Sequence, residues 1–333
     1  MEKQLHQKLL QENTFTDILG QDESKQQLKS ALLMGRHVII VGSPGIGKTT
    51  LAKNVAKLLP EITVNDCGYN CSEDLSICPS CKQGKKVEKK KISGSSRFIR
   101  IQGSPDLTSE DLLGDIDPIK ALKFGASSVE AFTPGKIFKA NNGVLFFDEL
   151  NRCPAKLQNS LLQILEEKKA TIGSYNIDFK ANFIFIGTLN PYDKTTENLS
   201  DVFLDRCDLV YMTYPEKIET EKQIIVEKSK KVAEFPNELL TKMIEFVRSL
   251  RDNSNLEKFP SVRASIGLYE RAQANALIRK SKKVELGDIK NALISVLAHR
   301  IELKPSAKYT ETSKEFLEQE IEEKFGAASG EYR

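Results

Sequence analysis

A strand-forming run, His37 to Val41 (HVIIV), stops at Gly42-Ser43-Pro44-Gly45-Ile46-Gly47-Lys48-Thr49-Thr50, and apolar residues then recur at helical spacing as Leu51, Val55, Leu58 and Leu59. This fits G-x-x-x-x-G-K-[ST] between a strand and an amphipathic helix, the phosphate loop of an ATP-binding α/β domain. The glycines let backbone N–H groups wrap the phosphates, and the helix amino terminus adds the positive end of its dipole. Lys48 is placed to reach the β- and γ-phosphates, and the Thr49 hydroxyl to ligate Mg²⁺. An ordinary glycine-rich turn would have no need of strand, Lys-Thr pair and helix together.

A second apolar run, Val144 to Asp148 (VLFFD), ends in two carboxylates, Asp148 and Glu149. As core alone it would bury two charges without a partner, and a metal and a water supply that partner. Asp148 is expected to hold Mg²⁺ through water, and Glu149 to orient and deprotonate the water that attacks the γ-phosphate. A solvent-facing strand end is the competing reading, which the presence of a phosphate loop disfavours.

Three further runs read as strands: Phe98 to Gln102, Phe183 to Leu189 and Leu209 to Thr213. They alternate with helix-period segments such as Leu157, Leu161 and Leu165, which predicts an α/β domain on a five-stranded, largely parallel sheet covered on both faces. After Pro215 the patterning is helical, over about 217–232, 236–250, 261–279 and 286–301. The expected organisation is therefore a nucleotide-binding domain over 1–215, an all-helical lid domain over 216–303 and a polar tail over 304–333, with one helix from Ser313 to Lys324. A chain of 333 residues with 40% apolar content can bury two cores.

The amino terminus, MEKQLHQKLLQEN, has no apolar core of signal-peptide length, and no run approaches the roughly 20 apolar residues of a membrane helix. A cytoplasmic protein without a membrane partner is expected. Forty-nine Lys and Arg against 46 Asp and Glu leave a net charge of +3, which gives no argument for nucleic acid as an obligatory partner.

The stretches Gly114 to Leu122 (GDIDPIKAL), Phe132 to Gly135 (FTPG) and Ala140 to Asn151 (ANNGVLFFDELN) resemble the AAA+ ATPases of the magnesium-chelatase I-subunit (ChlI/BchI-like) and MoxR group. The likeness runs along almost the whole chain. It implies a helix-2 insertion over 114–135, and a sensor asparagine at Asn190 in Gly-Thr-Leu-Asn190-Pro191. It also implies an arginine finger at Arg206 in Phe-Leu-Asp-Arg206-Cys207, and a second sensor arginine at Arg263, acting within its own chain or toward a neighbour. Such groups make physical sense: Asn190 would hydrogen-bond the attacking water or the γ-phosphate, and Arg206 and Arg263 offer fixed guanidinium charge to the transition state. Taken singly, an arginine after an aspartate is more often a surface ion pair. Leu19-Gly20-Gln21 looks like the adenine-side segment, and Ala170 to Lys180 like a hairpin inserted before the sensor strand, with Gly173 and Ser174 at its tip. The resemblance further implies a homo-oligomeric ring, of six subunits as its leading size, and a partner carrying a von Willebrand A domain.

One segment departs from the family. An insertion over 62–96 carries Cys67-x3-Cys71-x6-Cys78-x2-Cys81, a four-thiolate set for structural Zn²⁺. An iron–sulfur cluster and unliganded loop cysteines are the alternatives. Lys82 to Lys91 follows, with six lysines, one glutamate and no aromatics, a solvated linker in preference to a nucleic-acid contact. Cys153 and Cys207 read as small apolar fillers, and His6, His37 and His299 form no constellation.

Three function classes fit: a ring-forming ATPase that remodels a protein partner, in its strict form a subunit of a metal chelatase; a nucleic-acid motor; and a nucleotide-gated scaffold. Near-neutral charge and missing stacking residues weigh against the motor. Glu149, Asn190 and Arg206 weigh against a pure scaffold, which needs none of them. An archaeal Lon-type protease is disfavoured, since too little chain follows the lid for a proteolytic domain.

Overall fold

Five runs of β-branched and aromatic residues pair into one sheet: β1 (His37–Val41), β2 (Phe98–Gln102), β3 (Gly143–Asp148), β4 (Phe183–Leu189) and β5 (Cys207–Tyr211). The computed structural model describes residues 2–72, 76, 78–82, 87–125, 128–172, 175–180, 182–193 and 199–326. The spatial order is β5-β1-β4-β3-β2, and every neighbouring pair is parallel. Val38, Ile39 and Ile40 of β1 and Val144 to Phe147 of β3 are fully buried, as expected of strands covered by helices on both faces. This order sets β4 between β1 and β3, so the loops leaving the carboxyl ends of β1 and β3 open on either side of it. The fifth strand runs two residues earlier than its apolar pattern suggests, because His37↔Cys207 pairing fixes its register on β1.

The chain divides into two compact units, Met1–Gly42 with Gly47–Met212, and Ser43–Ile46 with Thr213–Arg333. Four residues of the phosphate loop thus group with the second unit. In the first unit the 62–96 insertion forms an antiparallel pair, Ile62–Asn65 with Lys89–Ile92, separate from the main sheet. Lys89 to Lys91, read above as linker, form one strand of it with exposed side chains. Residues 83–86 of that run lie outside the described residues. The segment 114–135, expected as a helix-2 insertion, pairs Gly114–Ile116 with Phe132–Pro134 around a helix Pro118–Phe124. The expected hairpin pairs Lys169–Ile172 with Tyr175–Lys180, while its tip, Gly173 and Ser174, lies outside the described residues. Cys153 and Cys207 are buried, and burial, with Asp208 beside it, pushes the Cys207 thiol up to about 12.

The second unit packs the helices Ile218–Lys228, Asn237–Asp252, Val262–Ile278, Leu286–Leu297 and Ser313–Phe325 around Met243, Phe246, Leu268 and Leu293. The last helix starts on a Thr312–Glu315 capping box and buries Phe316, Leu317 and Ile321 in that core. A short antiparallel pair, Leu256–Lys258 with Glu302–Leu303, interrupts the all-helical pattern, since segments of two and three residues carry no readable period. Glu221 is buried and ties three helices together: it accepts from Arg251 Nη1 (2.9 Å) and Nη2 (2.7 Å), Arg248 Nη1 (3.4 Å) and Ser265 Oγ (2.9 Å). Removing one partner of a buried pair costs about 3–5 kcal/mol, because the other is left uncompensated. Glu221→Gln is accordingly expected to lower the unfolding free energy of this unit by that order and so to move its urea midpoint down, and an unchanged midpoint would refute the assignment.

No helix among the described residues is long and apolar enough to cross a membrane.

Candidate functional site

β1 hands the chain to the phosphate loop at Gly42, whose N–H donates to the Leu189 carbonyl at 3.1 Å and so keeps the start of the loop on the sheet. The helix Lys48–Leu58 begins at Lys48, with Thr49 and Thr50 half-buried in its first turn. The Lys48 ammonium folds back to donate to the Gly42 carbonyl. Gly45 has φ +80°, and a Cβ there would stand 2.8 Å from Ser261 Oγ and 3.0 Å from Arg263 Cγ. Any larger residue would be strained and would clash within the second unit. The aliphatic stem of the exposed Arg263 therefore lies along the loop residues that group with it.

β3 ends in Asp148, whose side chain is only 13% exposed. Its Oδ1 accepts from Thr188 Oγ1 at 2.7 Å, and its Oδ2 pairs with Arg100 Nη2 at 2.6 Å. Glu149 follows in the left-handed region, at φ 53° and ψ 52°, a conformation that costs on the order of 1–3 kcal/mol in a non-glycine residue and that its surroundings must impose. Those surroundings are visible. The Glu149 N–H donates to Thr188 Oγ1 at 2.9 Å, the Gly103 N–H donates to the Asp148 carbonyl at 2.7 Å, and a Cβ on Gly103 would sit 2.1 Å from the Glu149 carbonyl oxygen. The Glu149 carboxylate accepts from Gln102 Nε2 at 2.8 Å and lies 3.3 Å from Arg152 Nη1, while Arg152 also binds Asp193 Oδ2 at 2.7 and 2.9 Å.

Asn190 follows β4 directly, and its Oδ1 accepts the Tyr192 N–H at 3.2 Å. Arg206 closes the helix Asp201–Asp205, donating from Nη1 to the Val202 carbonyl at 2.9 Å and pairing through Nη2 with Glu166 of the helix Ala155–Glu167. Among the described residues neither Asn190 nor Arg206 is hydrogen-bonded to Asp148 or Glu149. The residues that do hold those carboxylates, Arg100, Gln102, Arg152 and Thr188, were not singled out in the sequence. A signal existed for two of them: Arg100 and Gln102 alternate with apolar Ile99 and Ile101, which puts both on one face of β2. The Thr49 hydroxyl and Asp148 carboxylate are hard oxygen donors of the type Mg²⁺ takes, Asp148 at the carboxyl end of β3 and Thr49 in the first turn of the helix that follows β1, two strands separated only by β4.

The insertion gathers a second group. The Sγ atoms of Cys67, Cys71, Cys78 and Cys81 all lie within 4.8 Å of one another, and none of the four is in a disulfide. Tetrahedral zinc with Zn–S near 2.3 Å sets its sulfurs about 3.8 Å apart, so small movements close the set on a metal. Donors already face the sulfurs: Cys78 N–H to Cys71 Sγ and Cys81 N–H to Cys78 Sγ, each at 3.4 Å, and Asn65 Nδ2 to Cys81 Sγ at 3.2 Å. Such N–H groups offset the negative charge of clustered thiolates. Burial opposes ionisation of Cys67, but the Cys71 and Tyr69 backbone N–H groups and the neighbouring thiols outweigh it and hold this thiol below its usual range. Burial pushes the Cys78 thiol up. The knuckle docks on the turn before β3, where Asn141 Nδ2 donates to the Tyr69 carbonyl (3.2 Å), Asn142 Nδ2 to the Asn70 carbonyl (3.3 Å) and Asn70 Nδ2 to the Lys139 carbonyl (3.0 Å).

Three family models match parts of the chain. The family model described as "ATPase family associated with various cellular activities (AAA)" matches residues 77–209. "Magnesium chelatase, subunit ChlI" matches residues 14–96, and "AAA lid domain" residues 259–322. The magnesium-chelatase subunit ChlI of Cyanidium caldarium is 29% identical over 319 residues, covering 87% of this chain and 90% of that protein. ChlI-2 of Arabidopsis thaliana, a chloroplastic protein, is 35% identical over 184 residues, 53% of this chain and 43% of that protein. YeaC of Bacillus subtilis, an uncharacterised protein, is 25% identical over 88% of this chain and 85% of its own length. Among solved structures, a complex between subunits BchI and BchD of magnesium chelatase has a TM-score of 0.50 at 21% identity, covering 89% of this chain and 98% of that one. A RuvB variant of Thermotoga maritima has a TM-score of 0.52 at 16% identity, covering 96% and 83%. At these identities the structural likeness shows the fold.

Proposed function

The chain belongs to the AAA+ ATPases and is similar to the magnesium-chelatase I subunits, and from that premise we propose a ring-forming, Mg²⁺-dependent ATPase that couples hydrolysis of ATP to ADP and phosphate to the remodelling of a protein partner. The observation that carries this reading is the pairing of the phosphate loop after β1 with the Asp148–Glu149 end of β3 across β4. Gly42 to Thr50 bind the phosphates, Thr49 and Asp148 hold the magnesium, and Glu149 takes the proton of the attacking water. Magnesium, when bound, draws charge from the transferring phosphoryl group. Asn190 positions the water, and Arg206 and Arg263 supply guanidinium charge to the transition state. Residues 1–215 form the nucleotide-binding domain and 216–303 the lid domain of this reading.

The partner is a protein with a von Willebrand A domain, as the likeness to chelatase I subunits suggests. Co-purification of the Glu149→Gln chain under ATP, followed by mass spectrometry, tests this. Recovery of such a protein supports remodelling. Nucleic acid that stays bound at moderate salt would replace this reading by a nucleic-acid motor, because non-specific phosphate contacts weaken steeply as salt rises.

The four cysteines hold a structural Zn²⁺, and thiols outside any disulfide suit a reducing, cytoplasmic setting. Purified protein should carry about one zinc per chain, and Cys78→Ser should release it while ATP binding persists, since the strand pair that flanks the cysteines shares no hydrogen-bonded strand with the main sheet. Metal analysis finding no zinc after expression in zinc-replete medium would sink this assignment, and a brown protein would replace zinc by an iron–sulfur cluster.

A further inference from the structure

We infer that Arg100 is a positioning residue for the magnesium site: it serves as an internal counterion that holds Asp148 and competes with Mg²⁺ for it. The inference rests on the reading of Asp148 as the magnesium-holding carboxylate. Both Asp148 oxygens are engaged from the protein side, Oδ1 by the Thr188 hydroxyl and Oδ2 by the Arg100 guanidinium at 2.6 Å. The two contacts differ in kind. Thr188 is neutral and sits on β4, inside the sheet, so it orients the carboxylate whether or not a metal is present. Arg100 is a cation on β2, the edge strand, and its side chain is 53% exposed, so it has open solvent to retreat into.

The register explains why Arg100 reaches this carboxylate. Gln102 lies directly across from Asp148, and Arg100 across from Phe146, two residues earlier on the same face of β2. Its long side chain runs forward along that face, donating to Gln102 Oε1 at 3.0 Å on the way. Asp148, largely removed from water, would be a poorly compensated anion before nucleotide arrives, and Arg100 neutralises it there. A dication approaching the same oxygen meets a guanidinium already in place, and like charges at that range disfavour each other. Magnesium therefore enters by displacing Arg100. The arginine makes the metal-free site stable and the metal-bound site dependent on the phosphates arriving with it.

Binding of a non-hydrolysable ATP analogue by the full chain, titrated with free Mg²⁺, reads this without relying on turnover. Exposed and half-exposed ion pairs contribute up to about 1 kcal/mol, so Arg100→Met should lower the half-saturating free Mg²⁺ by about two- to fivefold. Arg100→Lys, which keeps the charge, should stay near the parent value. Asp148→Asn should raise it. If Asp148→Asn raises it while Arg100→Met leaves it unchanged or higher, the counterion role is overturned and the magnesium assignment stands. If Asp148→Asn has no effect on the Mg²⁺ dependence, the magnesium assignment fails and takes this inference with it. A lower melting temperature for Arg100→Met with an unaltered Mg²⁺ dependence would mark the arginine as merely structural and also refute the proposal.

Discussion

ATP turnover by Arg206→Ala is expected to fall by about 10³- to 10⁵-fold while ATP remains bound, the scale that an arginine supplied to the γ-phosphate from a neighbouring molecule reaches in other P-loop enzymes. Within its own chain Arg206 pairs with Glu166 and the Val202 carbonyl, and it makes no hydrogen bond to Asp148 or Glu149 among the described residues. In the function proposed above, this arginine acts on the phosphate of a neighbouring subunit. Activity should then rise more steeply than linearly with protein concentration as rings assemble. Mixing provides a sharper test. A Lys48→Ala chain lacks its own site but keeps its finger, and an Arg206→Ala chain keeps its site but lacks the finger. Together the two inactive variants should recover part of the activity at mixed junctions. Activity proportional to concentration down to a demonstrated monomer, with no recovery in subunit-exchanging mixtures, would refute the shared site.

Lys48→Ala and Glu149→Gln should fail in different ways. In the proposed reading the first removes the ammonium that meets the β- and γ-phosphates, so tight nucleotide binding should be lost and turnover with it. The second keeps the shape of the side chain, and the amide at position 149 can still contact Gln102 and Arg152, but it cannot accept the proton of the attacking water. ATP should therefore stay bound while hydrolysis falls by roughly 10²- to 10⁴-fold, the usual contribution of a positioned general base. Equilibrium binding of ATP measured beside single-turnover hydrolysis separates the two. Wild-type hydrolysis by Glu149→Gln would show that the base lies elsewhere.

How much of this site was legible depended on how local each feature is. The phosphate loop is written in nine consecutive residues, Gly42 to Thr50, and the acidic strand end in six, Val144 to Glu149, so both could be read without knowing what lies beside them. Arg206 is different. Its sequence neighbours place it after a short helix, but only the fold pairs it with Glu166, forty residues earlier, which is why a lone arginine reads more readily as a surface ion pair. The short Leu256–Lys258 and Glu302–Leu303 pairing escaped for a related reason: two or three residues hold no period, and their partner is distant in the chain.

The sequence by itself determined that five strands pair into one parallel sheet. Alternation and apolar runs follow from local backbone geometry, and β1, β2 and β4 therefore begin and end where their residues say. It also determined which cysteines belong together, since Cys67 to Cys81 lie close along the chain. Only the tertiary structure decided what surrounds the two carboxylates. Arg100 and Gln102 meet Asp148 and Glu149 because β2 pairs with β3 in one register, and Thr188 meets both because β4 lies on the other side of β3. A shift of one residue in either pairing would turn those side chains to the opposite face, and nothing within a single strand fixes that register. The docking of the knuckle's Tyr69 and Asn70 on Asn141 and Asn142 is likewise a contact across some seventy residues, formed by two turns that the packed sheet brings together.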